Sequence, residues 1–306
     1  MPSILFVKTS SLGDVVHNCP AVSDVARKLP GAEIDWVVEE SFAGLAALHA
    51  SVRRVIPVAV RRWRSRLWQP AIWAEIRALR RALAAQSYDA VIDTQSLLKS
   101  ALITACARGE RHGLDRASAR EPLAARLYDV VHEVPRNLHA VERNRRLTAA
   151  SLGFAPDAPV DYGLRLAPAA QGSSVVLLTM TSRADKLWPD ERWIGLARAL
   201  GAPAVLPWGS TEEKSRAERI AAAVGGAQVP PRMALEDLGR LFAGARAVIG
   251  LDTGLTHFAA ALGVRTVGIY CGSDPALTGL YGALRATNVG TAGRPPQVDE
   301  VLRSLA

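Results

Sequence analysis

The stretch Ala247–His257 constrains the fold of this chain more than any other. An apolar β-type run, Ala-Val-Ile-Gly, ends at Gly250, a polar turn follows, and the pattern from Leu255 to Gly263 is helical. Strand, turn and helix therefore meet within a few residues. Asp252 and Thr253 stand where they cap the helix, and Gly254 lets a ligand come close to the backbone. The first turn of a helix carries unpaired N–H groups and a partial positive charge, so it suits a phosphate. His257 falls in that turn as a further donor. An ordinary βα turn with a surface histidine would read the same way.

A second stretch of the same design lies near the start of the chain. Ile4-Leu-Phe-Val7 is a short apolar strand, Lys8-Thr-Ser-Ser-Leu-Gly13-Asp14 a polar turn, and Val15 to Lys28 a helical pattern. Between and after these two stretches, strands alternate with helices. Strands are expected at 32–38, 52–60, 88–93, 174–180, 204–207 and 265–270, with helices near 41–49, 71–85, 189–198, 213–223 and 298–306. That alternation predicts parallel sheets. The segment 107–146 is the most polar and basic part of the first half; Asn144 and the stretch before it read as helix, and Pro135 breaks the preceding segment. A Pro- and Gly-rich stretch without periodicity marks a linker. The expected organisation is an α/β chain with domains at 1–155 and 173–306, a linker at 156–172, and a site in a cleft between the two domains. The last helix has the option of crossing back to the first domain.

The 306 residues, 49% of them hydrophobic, suffice for two cores. The three cysteines, Cys19, Cys106 and Cys271, are far apart and outside any CxxC or Cys/His pattern, which argues against a zinc site or disulfide framework. Neither a signal segment nor an apolar run of membrane-spanning length is seen, so a cytoplasmic location is expected. The net charge of +8 fits an anionic partner: nucleic acid, a membrane surface or a phosphorylated substrate.

The polar residues that stand out cluster just beyond strand C-termini: Ser10, Ser11 and Asp14; Gln95 and Lys99; Thr181 and Lys186; Glu213; Asp252, Thr253 and His257. Ligands of open α/β sheets bind at that edge. The chain lacks a GxxxxGK[ST] loop, a GxGxxG turn, an HExxH helix and a GxSxG elbow, which removes ATPase, dehydrogenase, metalloprotease and esterase readings. Helix N-termini, one well-placed carboxylate and many cations suit sugar transfer from a nucleotide diphosphate. The carboxylate would deprotonate the acceptor hydroxyl while cations stabilise the departing diphosphate.

Several motifs carry a family resemblance across nearly the whole chain. Val-Lys-Thr-Ser-Ser-Leu-Gly-Asp-Val-Val-His at 7–17, Asp-Trp-Val-Val-Glu-Glu at 35–40 and Arg-Val-Ile-Pro-Val-Ala-Val-Arg-Arg-Trp-Arg at 54–64 belong to this set. Tyr-Asp-Ala-Val-Ile-Asp at 88–93, Ala-Arg-Glu-Pro-Leu-Ala at 119–124, His-Ala-Val-Glu-Arg at 139–143, Asp-Lys-Leu-Trp-Pro at 185–189, Leu-Pro-Trp-Gly at 206–209 and Asp-Thr-Gly-Leu-Thr-His at 252–257 continue it. Together they resemble the heptosyltransferase I members of glycosyltransferase family 9. The resemblance implies a GT-B fold of two Rossmann-like domains. It also implies inverting transfer of L-glycero-D-manno-heptose from ADP-heptose to the first Kdo of Kdo2-lipid A, in the lipopolysaccharide inner core. It implies no metal and no cofactor, ADP-heptose being a co-substrate.

By the same resemblance Asp14 is the catalytic base, with helix capping as its ordinary alternative, and Lys186 is the diphosphate lysine. Thr181, Ser182, Thr253, Gly254 and the Leu255 amide would meet the diphosphate. Ser182 departs from the family's threonine. Asp252 would bond the sugar or hold its loop, and His257 would donate. Glu213 resembles the ribose acid, with Glu212 beside it as the neighbouring choice, and Met233 would contact adenine or simply pack. Acceptor contacts are expected from Ser10, Ser11, Gln95, Lys99, Arg120, His139 and Arg143.

The segment Arg61-Arg-Trp-Arg64-Ser-Arg66-Leu-Trp68 concentrates four arginines and two tryptophans. Such a run is commonly a solvated face. Here Arg61, Arg62 and Arg64 would bind acceptor carboxylates and phosphates. Trp63 and Trp68 would sit at the anionic cytoplasmic face of the inner membrane, making the protein peripheral there. Nucleic acid is not expected as a partner, for want of a binding motif. Two rivals stay open: a heptosyltransferase for a later core position, and a non-catalytic nucleotide-sugar or lipid A binding protein.

Overall fold

The computed structural model describes residues 1–167 and 172–305. It divides into two compact units, residues 1–163 and 164–306. The expected linker 156–172 includes residues 168–171, which lie outside the described residues.

The first unit begins with strand β1 (Ser3–Val7), helices α1 (Leu12–Val16) and α2 (Cys19–Lys28), strand β2 (Glu33–Glu39) and helix α3 (Ala43–Ala47). Strand β3 (Val52–Val58), helices α4 (Val60–Arg64) and α5 (Pro70–Ala84), and strand β4 (Ser87–Asp93) follow. Helix α6 (Leu98–Thr104), strands β5 (Arg108–Leu114) and β6 (Val130–His132), and helix α7 (Ala140–Leu152) complete it. The six strands form one sheet in the order β3-β2-β1-β4-β5-β6, and every pairing is parallel. The strand order reverses between β1 and β4, which opens a crevice at their C-terminal ends.

Apolar runs on both faces of β1, β2 and β4 are what a sheet covered on both sides requires. Helix α5 places Ile72, Ile76, Leu79 and Leu83 on one stripe, at helical spacing, against Leu5, Val37 and Val91. On α7, the buried Arg145 pairs with the buried Asp24 of α2 at 2.7 Å. Removing either partner would strand a buried charge, at a cost of about 3–5 kcal/mol.

Strands β5 and β6 lie within the polar and basic segment 107–146, outside the strands expected from the sequence. Arg108-Gly-Glu-Arg-His is polar because its first residues stay partly open, and only His112 to Leu114 are buried. Backbone pairing to β4 makes the strand, which hydrophobic periodicity cannot report. The helical pattern at 15–28 is also two helices, with His17 and Asn18 between them. Strand β3 stops at Val58, so Arg61, Arg62 and Arg64 lie on a helix. The membrane-interface placement of Trp63 is corrected too. It is 9% exposed, packs in the core, and donates its Nε1–H to Glu75 at 2.7 Å.

The second unit starts with strand β7 (Val175–Leu178), helix α8 (Asp190–Ala199), strand β8 (Ala204–Val205) and helices α9 (Thr211–Val224) and α10 (Leu235–Gly244). Strand β9 (Ala247–Leu251), helix α11 (Gly254–Ala261), strand β10 (Thr266–Ile269), helix α12 (Pro275–Thr278), strand β11 (Ala286–Val289) and helix α13 (Val298–Arg303) end it. The sheet order is β11-β10-β9-β7-β8, again all parallel. Here the switch point lies between β7 and β9. The core is built around Trp188 and Trp193, packed edge to face with ring centroids 5.0 Å apart. Helix α13 packs against this core through Val301 and Val298, within its own unit. The edge strand β11 went unread because Ala-Thr-Asn-Val is short and polar.

Candidate active site

In the first unit, the loops after β1 and β4 meet at the switch point, and a single glutamine joins them. The Gln95 Oε1 accepts from the Thr9 amide at 2.6 Å, the Thr9 hydroxyl at 2.8 Å and the Ser10 amide at 3.2 Å. Its Nε2 donates to the Ser10 carbonyl. Lys99, at the start of α6, donates to Ser10 Oγ at 2.7 Å. Gln95 is 2% exposed, so its role in this structure is to fix the loop.

Asp14 sits on α1, its side chain 19% exposed. Its Oδ2 accepts from the Ser11 amide at 2.8 Å and the Ser11 hydroxyl at 3.2 Å, and Arg120 lies 3.5 Å away. The Ser11 contact is the capping use that the sequence also allowed. Burial opposes charge on Asp14. The Lys8 and Arg120 charges and the Ser11 bonds outweigh it and hold the carboxyl below the usual carboxylate range. The carboxyl is therefore in the ionised form that a proton acceptor needs, though the lowered pKa makes it the weaker base.

Behind it lies Lys8, 5% exposed, donating to the Thr94 carbonyl at 2.7 Å and Asn144 Oδ1 at 3.3 Å. Burial brings this ammonium down to about 8, against the pull of Asp14. Lys8 and Asn144 were missed in the sequence. The signal for Lys8 was its place directly after an apolar strand.

Other cations gather around this edge. Arg143 donates to the Ser118 carbonyl at 2.6 Å, and its Nε has no hydrogen-bond partner among the described residues. Burial, then the Arg120 and Arg136 charges, lower its pKa. Lys99 is lowered by burial first; Arg61 and Arg64 also lower it, against Glu39 and Asp14. His139 caps α7, its Nδ1 accepting from the Val141 amide at 3.1 Å, and stands edge-on to His17. Arg61 lies over the Phe42 ring, 5.3 Å from its centroid. Arg62 is different: its guanidinium is already shared between Glu40 and Glu75.

In the second unit the hub is Asp252, just beyond β9. Its Oδ2 receives the Lys186 ammonium at 2.6 Å and the Ser273 hydroxyl, and His257 Nε2 lies 3.4 Å from Oδ1. Burial works against its charge, but the His257, Lys186 and Ser273 bonds hold the carboxyl far below its ordinary range. Lys186 comes from the loop after β7 and Ser273 from the loop after β10, so three strand ends converge on one carboxylate. Ser273 was missed. Its place after a strand was its only signal. His257 is 5% exposed, so the surface-histidine alternative does not hold.

Thr253 caps α11, its Oγ1 accepting from the Leu255 amide at 3.2 Å. Thr181 Oγ1 lies 3.5 Å from the Asp252 carbonyl, while Ser182 is exposed. Gly250 is required by crowding, since a Cβ there would sit 2.3 Å from Thr256 Oγ1. The β7 and β9 loops therefore bring Thr181, Lys186, Asp252, Thr253, Gly254 and Leu255 to one strand edge, open to an anion.

Glu213 takes the third position of α9. Its Oε2 accepts from the Gly209 amide at 2.6 Å and the Ser210 amide at 3.3 Å, which completes a capping box with Ser210. Met233 is half-buried and lines an open cavity of about 550 Å³ with Pro230, Pro231, Arg232, Arg240 and Leu241.

Two parallel Rossmann-type sheets, each with polar loops at its switch point, are the two domains of a GT-B fold. Similarity to known proteins narrows the class. The chain belongs to glycosyltransferase family 9 (heptosyltransferase), whose model matches residues 76–303. It is 47% identical over 289 residues to lipopolysaccharide heptosyltransferase 1 of Escherichia coli strain K12, covering 91% of each chain. It superposes on the structure of E. coli heptosyltransferase WaaC with ADP at a TM-score of 0.92, with 42% identity over 99% of this chain and 100% of that one. For WaaC with ADP-2-deoxy-2-fluoro heptose the TM-score is 0.88, with 42% identity over 98% of both chains.

Proposed function

We propose that this enzyme transfers L-glycero-D-manno-heptose from ADP-heptose to the first Kdo of Kdo2-lipid A, in the lipopolysaccharide inner core. The observation that carries the reading is Asp14, a carboxylate at the β1/β4 strand edge, held by Ser11 at 2.8 Å with Arg120 3.5 Å away. Around it Lys8, Lys99 and Arg143 bond only neutral oxygens among the described residues. That surplus of positive charge suits an acceptor rich in carboxylate and phosphate. The relatives' names support the heptose donor and the lipopolysaccharide product.

In this reading Asp14 takes the acceptor hydroxyl proton while the oxygen attacks the anomeric carbon from the face opposite the ADP. The bond from that carbon to the diphosphate oxygen breaks, configuration inverts, and ADP leaves with the electron pair. Lys186 exchanges its Asp252 partner for the diphosphate. Thr181, Ser182 and the amides at the start of α11 share the developing charge. Glu213 keeps Oε1 for the ribose, and Met233 offers an apolar surface to the adenine. No metal or further cofactor is called for, because cations and helix ends supply the electrostatics. Working on a lipid acceptor places the protein at the anionic cytoplasmic face of the inner membrane. Among the described residues no helix is long and apolar enough to cross a membrane.

The test is product mass after incubation with ADP-heptose and Kdo2-lipid A, beside Asp14→Ala. One heptose added by the wild type and none by the variant is the expected result. No transfer despite ADP-heptose binding, with transfer to an already heptosylated acceptor, would reassign the enzyme to a later core position.

A further inference from the structure

With Trp63 in the core, the exposed aromatics of this region are others. Leu67 is 46% exposed, Trp68 76% and Trp73 49%. The Trp73 indole donates to the Leu67 carbonyl at 2.8 Å, so the loop and the first turn of α5 form one ordered knob. Helix spacing sets Trp73, Arg77, Arg80 and Arg81 on the same flank of α5, beside the buried stripe of Ile72, Ile76, Leu79 and Leu83. Arg64 and Arg66 lead into the knob. Among the described residues none of these five arginines makes a salt bridge with a carboxylate.

Helix α6 lies on the same face of the sheet, because Ile103 shares the core of α5. Its outward Leu98 and Leu102 stand one turn apart, 39% and 55% exposed. Lys99 of α6 feels the charges of Arg61 and Arg64 of α4, and Cys106, just beyond α6, feels Arg80 of α5. The surface is thus an apolar tip of Leu67, Trp68 and Trp73, with a row of unneutralised guanidiniums behind it. Exposed apolar area alone would not name its partner. The charge does: a lattice of phosphates beside an apolar layer meets both halves, with indoles at the headgroup level and arginines on the phosphates.

We infer that Leu67, Trp68 and Trp73, backed by Arg77, Arg80 and Arg81 of α5, form the surface that docks this enzyme on an anionic lipid bilayer. The inference rests on the proposed lipid acceptor and assigns the contact to residues outside the reaction site. It also gives the 60–68 arginine run its place, between the bilayer knob and the β1/β4 edge.

The experiment is co-sedimentation of the full chain with phosphatidylcholine–phosphatidylglycerol vesicles and with phosphatidylcholine alone. Wild type is compared with Leu67→Ser/Trp68→Ala and with Arg77→Gln/Arg80→Gln/Arg81→Gln. All are checked for unchanged thermal unfolding and for unchanged turnover on a water-soluble, lipid-free Kdo acceptor. Wild type should partition onto the anionic vesicles, with a blue shift in tryptophan emission that the Trp68 variant reduces. The triple arginine variant should lose on the order of a hundredfold in partitioning. No binding by wild type, equal binding to neutral vesicles, or undiminished binding by both variants would overturn the inference. Self-association without vesicles that the variants abolish would overturn it in favour of a second copy of the chain. Turnover on the soluble acceptor reports the proposed reaction separately, so the two readings fail independently.

Discussion

Each sheet ends in a carboxylate at its switch point, and the two carboxylates are treated in opposite ways. Asp252 is neutralised on the spot by the Lys186 ammonium and hydrogen-bonded by Ser273 and His257, the three drawn from neighbouring segments. Asp14 is held by the amide and hydroxyl of Ser11, while its positive neighbours, Lys8 and Arg120, act mainly through space. Around Asp252 charges cancel; around Asp14 cations remain in excess. In the proposed reaction the charge-balanced edge would release its lysine when a diphosphate competes for it, and the edge with surplus cations would attract an anionic acceptor and leave one carboxylate to accept a proton.

The hardest way to break this contrast is at Asp14 itself. Asp14→Ala should lower kcat by about 10²–10⁴-fold while ADP binding by calorimetry stays unchanged. Loss of ADP binding in that variant would mean the two edges are not separable. At the other edge, Lys186→Ala should cost about 10²–10³-fold in kcat/KM and weaken ADP, because an electrostatic donor to the leaving group is gone. Retained ADP affinity would show that the lysine never leaves Asp252.

Acid should separate the two units next. His49 is 2% exposed, accepts from the Ser51 amide at Nδ1 and lies 3.2 Å from the Cys19 carbonyl through Nε2, and burial pulls it down to about 4. Between its ordinary 6.5 and that value the unfolded chain binds the proton more tightly, so stability of the first unit rises with pH across this window. Acidification through it should remove up to about 3 kcal/mol. The second unit's depressed Asp252 keeps its contribution down to about pH 4.5, since that is lost only as pH falls from the ordinary carboxylate value of 3.8 toward the far lower folded one. Unfolding followed unit by unit by hydrogen exchange at pH 7 and pH 4.5 checks the order, and simultaneous loss would contradict it.

Lys8→Met sharpens the contrast more gently. With the charge that most lowers it gone, the Asp14 pKa rises and the acid limb of the kcat/KM profile should move to higher pH, without loss of ADP binding. A drop in activity with an unmoved limb would make Lys8 a packing residue. The smallest effect belongs to Arg120→Ala. Its contact with Asp14 is long and half-exposed, so a change of roughly two- to fivefold is expected.

Much of this was readable from residue order. The strand–turn–helix units at 1–28 and 247–263 announced a parallel sheet, because apolar runs punctuated by polar Gly turns have few other solutions. Asp14, Lys99, Lys186 and Asp252 stood out because they follow strand C-termini, the edge at which ligands of open α/β sheets bind. Glu213 and Gln95 show the limit. The same residues serve capping and loop fixation in this structure, and local pattern does not separate an atom committed to the backbone from one free for a ligand.

By itself, then, the sequence determined the fold class and the strand ends where polar residues gather, which depend on local order and periodicity, and its motifs carried the family resemblance. Tertiary structure alone decided the rest. It made strands of Arg108–Leu114 and Ala286–Val289 by pairing, buried Trp63 and exposed Trp68 and Trp73. It also gathered Lys186, Ser273 and His257 on one carboxylate. Those outcomes depend on which distant segments share a backbone ladder or a low-dielectric pocket, and no window along the chain contains both partners.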